Sequence, residues 1–304
     1  MVRPVRFAHN GQTCGTNRFQ RSGSQSALTS ERAAVEFTAF SRAIDAAGIG
    51  VCVIDDTPTP EKPDAIFPNN WISFHRDGTV VLYPMLAPNR RVERRLDVLA
   101  SVEDRLNFRR HRLLDLSVHE REGRFLEGTG SLVLDHVHAI AYACRSARTD
   151  ESLVRAWAQQ MSYQPMVFDA LGADGTPIYH TNVLMSIGSH WAVVCTEAIV
   201  GGDRAKVLQS LRKNRDVIEI TLHTMAQFGA NVLELRGAMP EHDSRSVLVL
   251  SDSAQTAFQR LKNNAWKRLN DAVDQVLPVA VPTIESVGGG GVRCMLAEVP
   301  EVTT

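Results

Sequence analysis

VLMSIGSHWAVVCTEAIVGGDRAKVLQSLRKNRDVIEI, residues 183–220, decides how the rest of the chain is read. Its apolar, β-rich runs at 183–187 and 191–196 predict two short strands. An amphipathic stretch at 204–213 predicts a helix, and a third β-rich run at 217–220 a further strand. Strand, strand, helix, strand is the order of one unit.

The pattern repeats on both sides, about every 50–60 residues, without the local identity of a solenoid. Upstream, residues 30–47 predict a helix capped by Ser30 and stopped at Gly48, before a strand at 51–54 and a Pro-rich loop at 57–68. A strand at 80–83 precedes a charged helix at 91–106. Runs at 132–134 and 139–143 bracket 135–138 as a hairpin, and Asp150 caps a helix running to Met161. Downstream come a short helix ending at Gly229, strands at 232–235 and 247–250, a long helix at 253–276, and a strand at 279–281. Neither a Gly/Ser linker nor a composition break divides the chain. Residues 1–304 are therefore expected to form one α/β (α+β) domain of repeated modules, with 12–25 as its one loose segment.

Composition narrows the function. The 304 residues carry 33 Lys+Arg against 34 Asp+Glu, a net charge of −1 that lacks the footprint of a nucleic-acid binder. No apolar run reaches the roughly 18–20 residues a membrane span needs. The start, Met1-Val2-Arg3-Pro4, has no apolar stretch of a signal peptide. Five widely and irregularly spaced cysteines without a C-x-x-C fit reduced thiols, so a cytoplasmic location is expected.

Five segments hold more special residues than packing requires: Phe67-Pro68-Asn69-Asn70-Trp71, Pro88-Asn89-Arg90-Arg91-Val92-Glu93, Leu126-Glu127-Gly128-Thr129-Gly130, Tyr179-His180-Thr181-Asn182-Val183, and Gly288-Gly289-Gly290-Gly291-Val292-Arg293-Cys294-Met295. Singly, each has an ordinary reading: Pro-Asn-Asn as a turn, Glu127 as a solvated carboxylate, His180 as a hydrogen-bonded strand residue. The glycine run does not open a helix and no Lys-Ser/Thr follows it. A strand is expected over 292–299, which argues against a phosphate loop and for close backbone approach beside a thiol. Together the segments supply a thiol, an imidazole, a carboxylate to orient it, and polar or cationic groups to grip a substrate. His136 and His138 read as a surface turn and Glu241-His242-Asp243 as a loop, so no metal and no cofactor is assigned.

These motifs, with Ser146-Ala147-Arg148-Thr149, resemble those of the guanidino-group modifying superfamily, in the family's order from Met1 to Glu298. The likeness is nearest to its bacterial arginine-deiminase-related, amidinotransferase-like branch, which includes citrulline-utilisation hydrolases. The resemblance implies a pentein fold, a pseudo-fivefold α/β propeller of ββαβ modules with its site in the central channel. It implies Cys294 as nucleophile, His180 as acid and base, and Glu127 holding His180 and a substrate nitrogen. By the same resemblance Arg148 and Arg90 grip an α-carboxylate, a task that suits a guanidinium fork.

Arginine deiminases carry Asp where this chain has Asn70 and Asn182. Amides cannot balance a guanidinium, but they both donate to and accept from a neutral ureido group. The expected substrate is therefore a ureido amino acid, foremost citrulline, cleaved to ornithine, ammonia and CO2 through an S-carbamoyl intermediate. The charge argument requires that no other carboxylate, such as Asp64, enters the site. An arginine or methylarginine deiminase, an amidinotransferase, and a catalytically silent pentein used as a binding module are the alternatives. The implied partner is a small amino-acid substrate, without nucleic acid or membrane; a homo-oligomer stays open.

Overall fold

A computed structural model describes residues 1–21, 27–237 and 245–302. Four three-stranded sheets follow one plan: two antiparallel strands, a helix, then a third strand parallel to the second. They are built from β3 (Ile72–Phe74), β4 (Thr79–Leu82) and β5 (Arg112–Asp115); β6 (Val133–Asp135), β7 (Ile140–Cys144) and β8 (Gln164–Phe168); β9 (Met185–Ile187), β10 (Trp191–Val194) and β11 (Asp216–Glu219); and β12 (Leu233–Arg236), β13 (Ser246–Ser251) and β14 (Gln275–Val279). The fifth unit pairs β1 (Val2–Arg3) parallel with β2 (Ile54–Asp55), and the helix Ala27–Ala46 lies between them in sequence. This is the ββαβ repeat expected from 183–220.

The middle strands β4, β7, β10 and β13 are buried along their whole length or nearly so, which is why they read as plain apolar runs. Each helix turns an apolar face onto its sheet. In Glu151–Met161 that face is Leu153, Val154, Trp157 and Ala158, and Asp150 Oδ1 accepts from the Leu153 amide at 3.1 Å, the cap read from sequence.

Several boundaries differ from expectation. The charged helix is shorter, Leu96–Arg105, and Pro88–Arg91 forms a separate helical turn. The long helix over 253–276 is two helices, Asp252–Gln259 and Ala265–Asp271. They are separated where Asn264 takes a left-handed φ of 56°, a conformation Asn tolerates better than most residues. Its last residues, from Gln275, belong instead to β14. The strand expected at 292–299 is a 3-10 turn, Val292–Met295, followed by irregular chain. Strands β5 and β8 were not expected. The loop assigned to Glu241-His242-Asp243 lies outside the described residues, and no helix among those described is long and apolar enough to cross a membrane.

Replacing Asp150 with Ala should cost about 1 kcal/mol by orphaning the helix N-terminus. Urea unfolding of the variant against wild type checks this, and an unchanged midpoint would remove the cap from the stability account.

Candidate active site

The same place in successive repeats, the turn entering the first strand, delivers the polar residues. Pro68–Asn70 precedes β3, Glu127 and the turn Gly128–Ser131 precede β6, and His180 with Thr181–Leu184 precedes β9. Asn231 precedes β12, and the glycine run leads into Cys294. Direct hydrogen bonds join neighbouring turns. Thr181 Oγ1 donates to the Ser131 carbonyl at 2.6 Å, and Asn231 Nδ2 donates to the Asn182 carbonyl at 3.3 Å. Gly130 is required by this crowding, because a Cβ there would lie 2.7 Å from both Asn70 Nδ2 and His180 Nδ1. Gly289 adopts φ 65° and presents its carbonyl to Tyr179 Oη at 2.8 Å, and the run lies close beside the cysteine, since a Cβ at Gly290 would lie 3.3 Å from Cys294 Cβ.

Glu127 is fully buried and organises the charges. Its Oε2 lies 2.9 Å from His180 Nε2, 3.3 Å from Arg148 Nη1 and 3.9 Å from Arg90 Nη1, while its Oε1 accepts from the Leu86 amide at 3.1 Å. Burial pushes its carboxyl up, but Arg148, the His180 hydrogen bond and Arg90 outweigh it and hold the group well below the usual carboxylate range. A carboxylate only accepts, so Nε2 of His180 carries the hydrogen and Nδ1 is left to exchange a proton. Burial lowers His180 to about 4 despite Glu127, so the imidazole is neutral at rest.

Arg90 is also buried. It forks onto Glu93, with Nε and Nη2 at 3.0 and 2.9 Å from the two carboxylate oxygens, and donates to Asn70 Oδ1 at 2.9 Å. Arg148 donates to Thr16 Oγ1, to the Thr13 carbonyl and to Glu127, with its guanidinium over the Tyr179 ring at 4.9 Å. Both arginines are thus already engaged by protein partners. Segment 10–21 lies against the site: besides the Thr13 and Thr16 contacts, Asn17 Nδ2 reaches the Gly288 and Gly289 carbonyls.

Cys294 is buried, and burial pushes its thiol up against the opposing effects of Asn231, Arg293 and Asn182. Two carboxamides donate to its sulfur, Asn231 Nδ2 at 3.2 Å and Asn182 Nδ2 at 3.5 Å. The Oδ1 atoms of both amides are buried without a partner.

All seven residues picked from sequence are therefore buried, and hydrogen bonds and ion pairs join them into two connected groups: Asn70, Arg90, Glu127, Arg148 and His180, and Asn182 with Cys294. Sequence reading missed Asn231 and Glu93. It named Asp64 only as an exclusion, and Asp64 enters. Its Oδ2 accepts from Asn10 Nδ2 at 2.8 Å and lies 3.6 Å from Arg90 Nε, while its Oδ1 is buried and unpartnered. The charge argument as first framed is corrected accordingly: the site is not free of further carboxylates, and the amide pair alone does not exclude a cation. His136 and His138 lie in the β6–β7 turn. His136 bonds Tyr163 and His138 bonds Asp135, and no metal-binding cluster is present among the described residues.

The family described as N,N dimethylarginine dimethylhydrolase, eukaryotic, matches residues 3–301. A comparison with curated proteins finds no match. Similar solved structures include the N-terminal domain of ArgZ, a cyanobacterial arginine dihydrolase, bound to substrate, at 14% identity and TM-score 0.73, covering 99% of this chain and 97% of that one. The binary complex of AgrE with L-arginine matches at 15% identity and TM-score 0.73, covering all of this chain and 40% of the other. A dimethylarginine dimethylaminohydrolase adduct matches at 14% identity and TM-score 0.62, over 97% and 96% of the two chains. Identities this low establish a shared fold, the pentein fold.

Glu127→Gln should cost about 3–5 kcal/mol at neutral pH, because it strips the charge that Arg148 and Arg90 face. The sign with pH follows from the depressed carboxyl: its contribution is present above the ordinary carboxylate value of 4.5 and is lost as pH falls below it. The stability gap between wild type and variant, measured by urea unfolding, should therefore narrow on acidification. A gap of constant size would mean that Glu127 does not carry the charge coupling.

Proposed function

The chain belongs to the N,N dimethylarginine dimethylhydrolase family, within the guanidino-group modifying superfamily, and we propose that it is a Cys-dependent hydrolase of a ureido amino acid, citrulline foremost. The observation that carries this reading is local. The side chains hydrogen-bonded to the Cys294 sulfur are both carboxamides, each with a spare buried acceptor oxygen. A neutral ureido group offers N–H donors for these two oxygens and a carbonyl for the Asn182 Nδ2 hydrogen not directed at the sulfur, both Asn231 hydrogens being engaged.

In the proposed reaction His180 Nδ1 takes the Cys294 proton and the sulfur bonds to the ureido carbon. The bond from that carbon to the δ-nitrogen breaks as His180 returns its proton to the departing amine, releasing ornithine. Water, deprotonated by the again neutral His180, then attacks the S-carbamoyl carbon. The thiol is restored, and the carbamate falls to ammonia and CO2. Glu127 keeps the imidazole in the tautomer this needs. At the far end Arg148 would exchange its Thr13 and Thr16 contacts for the substrate α-carboxylate, with Arg90 beside it. Asp64 Oδ1, an acceptor without a donor, would take the α-ammonium. Residues 1–304 are read as one catalytic domain.

Arginine is the second reading, favoured by Asp64, a carboxylate that could offset a guanidinium. Citrulline is preferred because the charged contacts of Asp64 are with Arg90, while uncharged amides adjoin the sulfur.

Ornithine and ammonia release from citrulline and from arginine, measured side by side, tests the choice. Wild type should favour citrulline, and Cys294→Ser should lose turnover of both. Faster release of ammonia and citrulline from arginine would replace this reading with a deiminase. Asn182→Asp should lower kcat/KM on citrulline by roughly one to two orders of magnitude, the value of a matched buried bond of about 1–3 kcal/mol. No loss would remove Asn182 from recognition. Arg148→Ala should raise KM for amino-acid substrates and do little for analogues without the carboxylate; equal losses on both would indicate a structural role.

A further inference from the structure

We propose that Asn231 is a catalytic residue of this site: its carboxamide N–H stabilises the Cys294 thiolate, so that a substrate bringing no positive charge can be attacked. This rests on Cys294 being the nucleophile, as argued above, and adds a residue that neither the motifs nor the comparisons assign.

The geometry fixes which end of the amide meets the sulfur. Asn231 Nδ2 lies 3.2 Å from Cys294 Sγ and 3.3 Å from the Asn182 carbonyl oxygen. A carbonyl oxygen only accepts, so the atom facing it must be the NH2. Turning the amide over would oppose two oxygens. The second hydrogen of the same NH2 is then free for the sulfur. Asn231 Oδ1 occupies space that only glycine at 291 leaves open, because a Cβ there would lie 2.7 Å from it. The residue is 2% exposed, so the donor is not diluted by water.

A thiol at this place needs such help. Cys294 is buried, which disfavours the anion, and among the described residues its hydrogen-bonding side chains are uncharged. A guanidinium substrate would carry its own countercharge to the thiolate; a ureido group would not. The two amides are then the direct donors, and Asn231 is the nearer. A hydrogen bond to a charged group contributes about 1.5–3 kcal/mol, so removing it should shift the thiol–thiolate balance about tenfold or more.

The test needs no substrate. Wild type, Asn231→Ala and Asn231→Asp are alkylated with iodoacetamide from pH 6 to 10, and Cys294 is followed by peptide mass spectrometry with Cys14 as internal reference. At pH 8 Cys294 of Asn231→Ala should react about tenfold more slowly than wild type, recovering at higher pH, while Cys14 is unchanged. Asn231→Asp, which sets an anion against the sulfur, should be slower still. The two variants are read in parallel, with thermal unfolding as the check on folding, so loss of one leaves the other. Citrulline kcat should fall with the alkylation rate and recover on the same alkaline limb. Identical Cys294 profiles in wild type and a folded variant would overturn the proposal, even if citrulline is the substrate. A shifted profile in an enzyme that ignores citrulline would keep Asn231 and discard the substrate reading.

Discussion

One buried carboxylate holds the site together. Glu127 takes hydrogen bonds from His180, Arg148 and the Leu86 amide, and Arg90 approaches the same oxygen that His180 and Arg148 use. Removing any of these charges from water alone would be costly; removing them together lets each offset the other's desolvation. Two cations against one carboxylate is still an imbalance, which Glu93 and Asp64 correct at the far side of Arg90. That places three buried carboxylates around Arg90, and the Glu93 carboxyl is accordingly pushed up to about 7, by burial first and then by Asp64 and Glu127, against Arg90. Because Glu127 stays ionised, His180 keeps one tautomer, with the hydrogen on Nε2.

The repeats explain how residues more than a hundred positions apart come to share a space of a few ångströms. The apolar clusters cross unit boundaries: one joins Trp191–Val194 of β10 with Leu248 and Leu250 of β13, and another joins Val81 of β4 with Tyr83, Ala141 and Trp157, so neighbouring units stabilise one another. The turns entering the first strands are left to meet one another. A turn with spare polar groups would be destabilising if it met only hydrocarbon, but here its neighbours are equivalent turns with complementary donors and acceptors. The polar groups of the candidate site are thus spread over the repeats, and the close approach at Gly130 shows how little room the arrangement leaves.

Much of this was legible because it depends on residue type and period. Middle strands read as apolar runs, Cys294 and Glu127 stood out beside glycines, and His180 stood out in Tyr-His-Thr-Asn. What escaped has a physical reason in each case. Strand β5 is Arg-Leu-Leu-Asp and largely exposed, and β8 carries Pro165, so neither shows a strand's apolar pattern. The helix over 253–276 broke at Asn263-Asn264, where local turn chemistry overrode a continuous amphipathic pattern. Asn231 sits in Gly-Ala-Asn-Val, which alone is an ordinary turn. Only the repeat, which puts it where Asn70 and Asn182 stand in theirs, could have marked it. Glu93 stands in its motif as one charge of an alternating run, and charge alternation says nothing about a fork closing on the buried Arg90 three residues earlier.

Asp64 shows why total charge was the wrong quantity to match. It does lie in the site, so a count of carboxylates would favour a guanidinium. Yet the Coulomb interaction of a buried group depends on which partner is near, and the charged contact of Asp64 is with Arg90. The sulfur is served by amides. The ionic groups therefore meet one another around Glu127 and Arg90, where a zwitterionic backbone could exchange partners with them, while two uncharged amides adjoin the Cys294 sulfur. Such a division lets a site grip the charged end of an amino acid through charge-assisted hydrogen bonds and still leave a neutral end to be recognised by hydrogen-bond pattern alone.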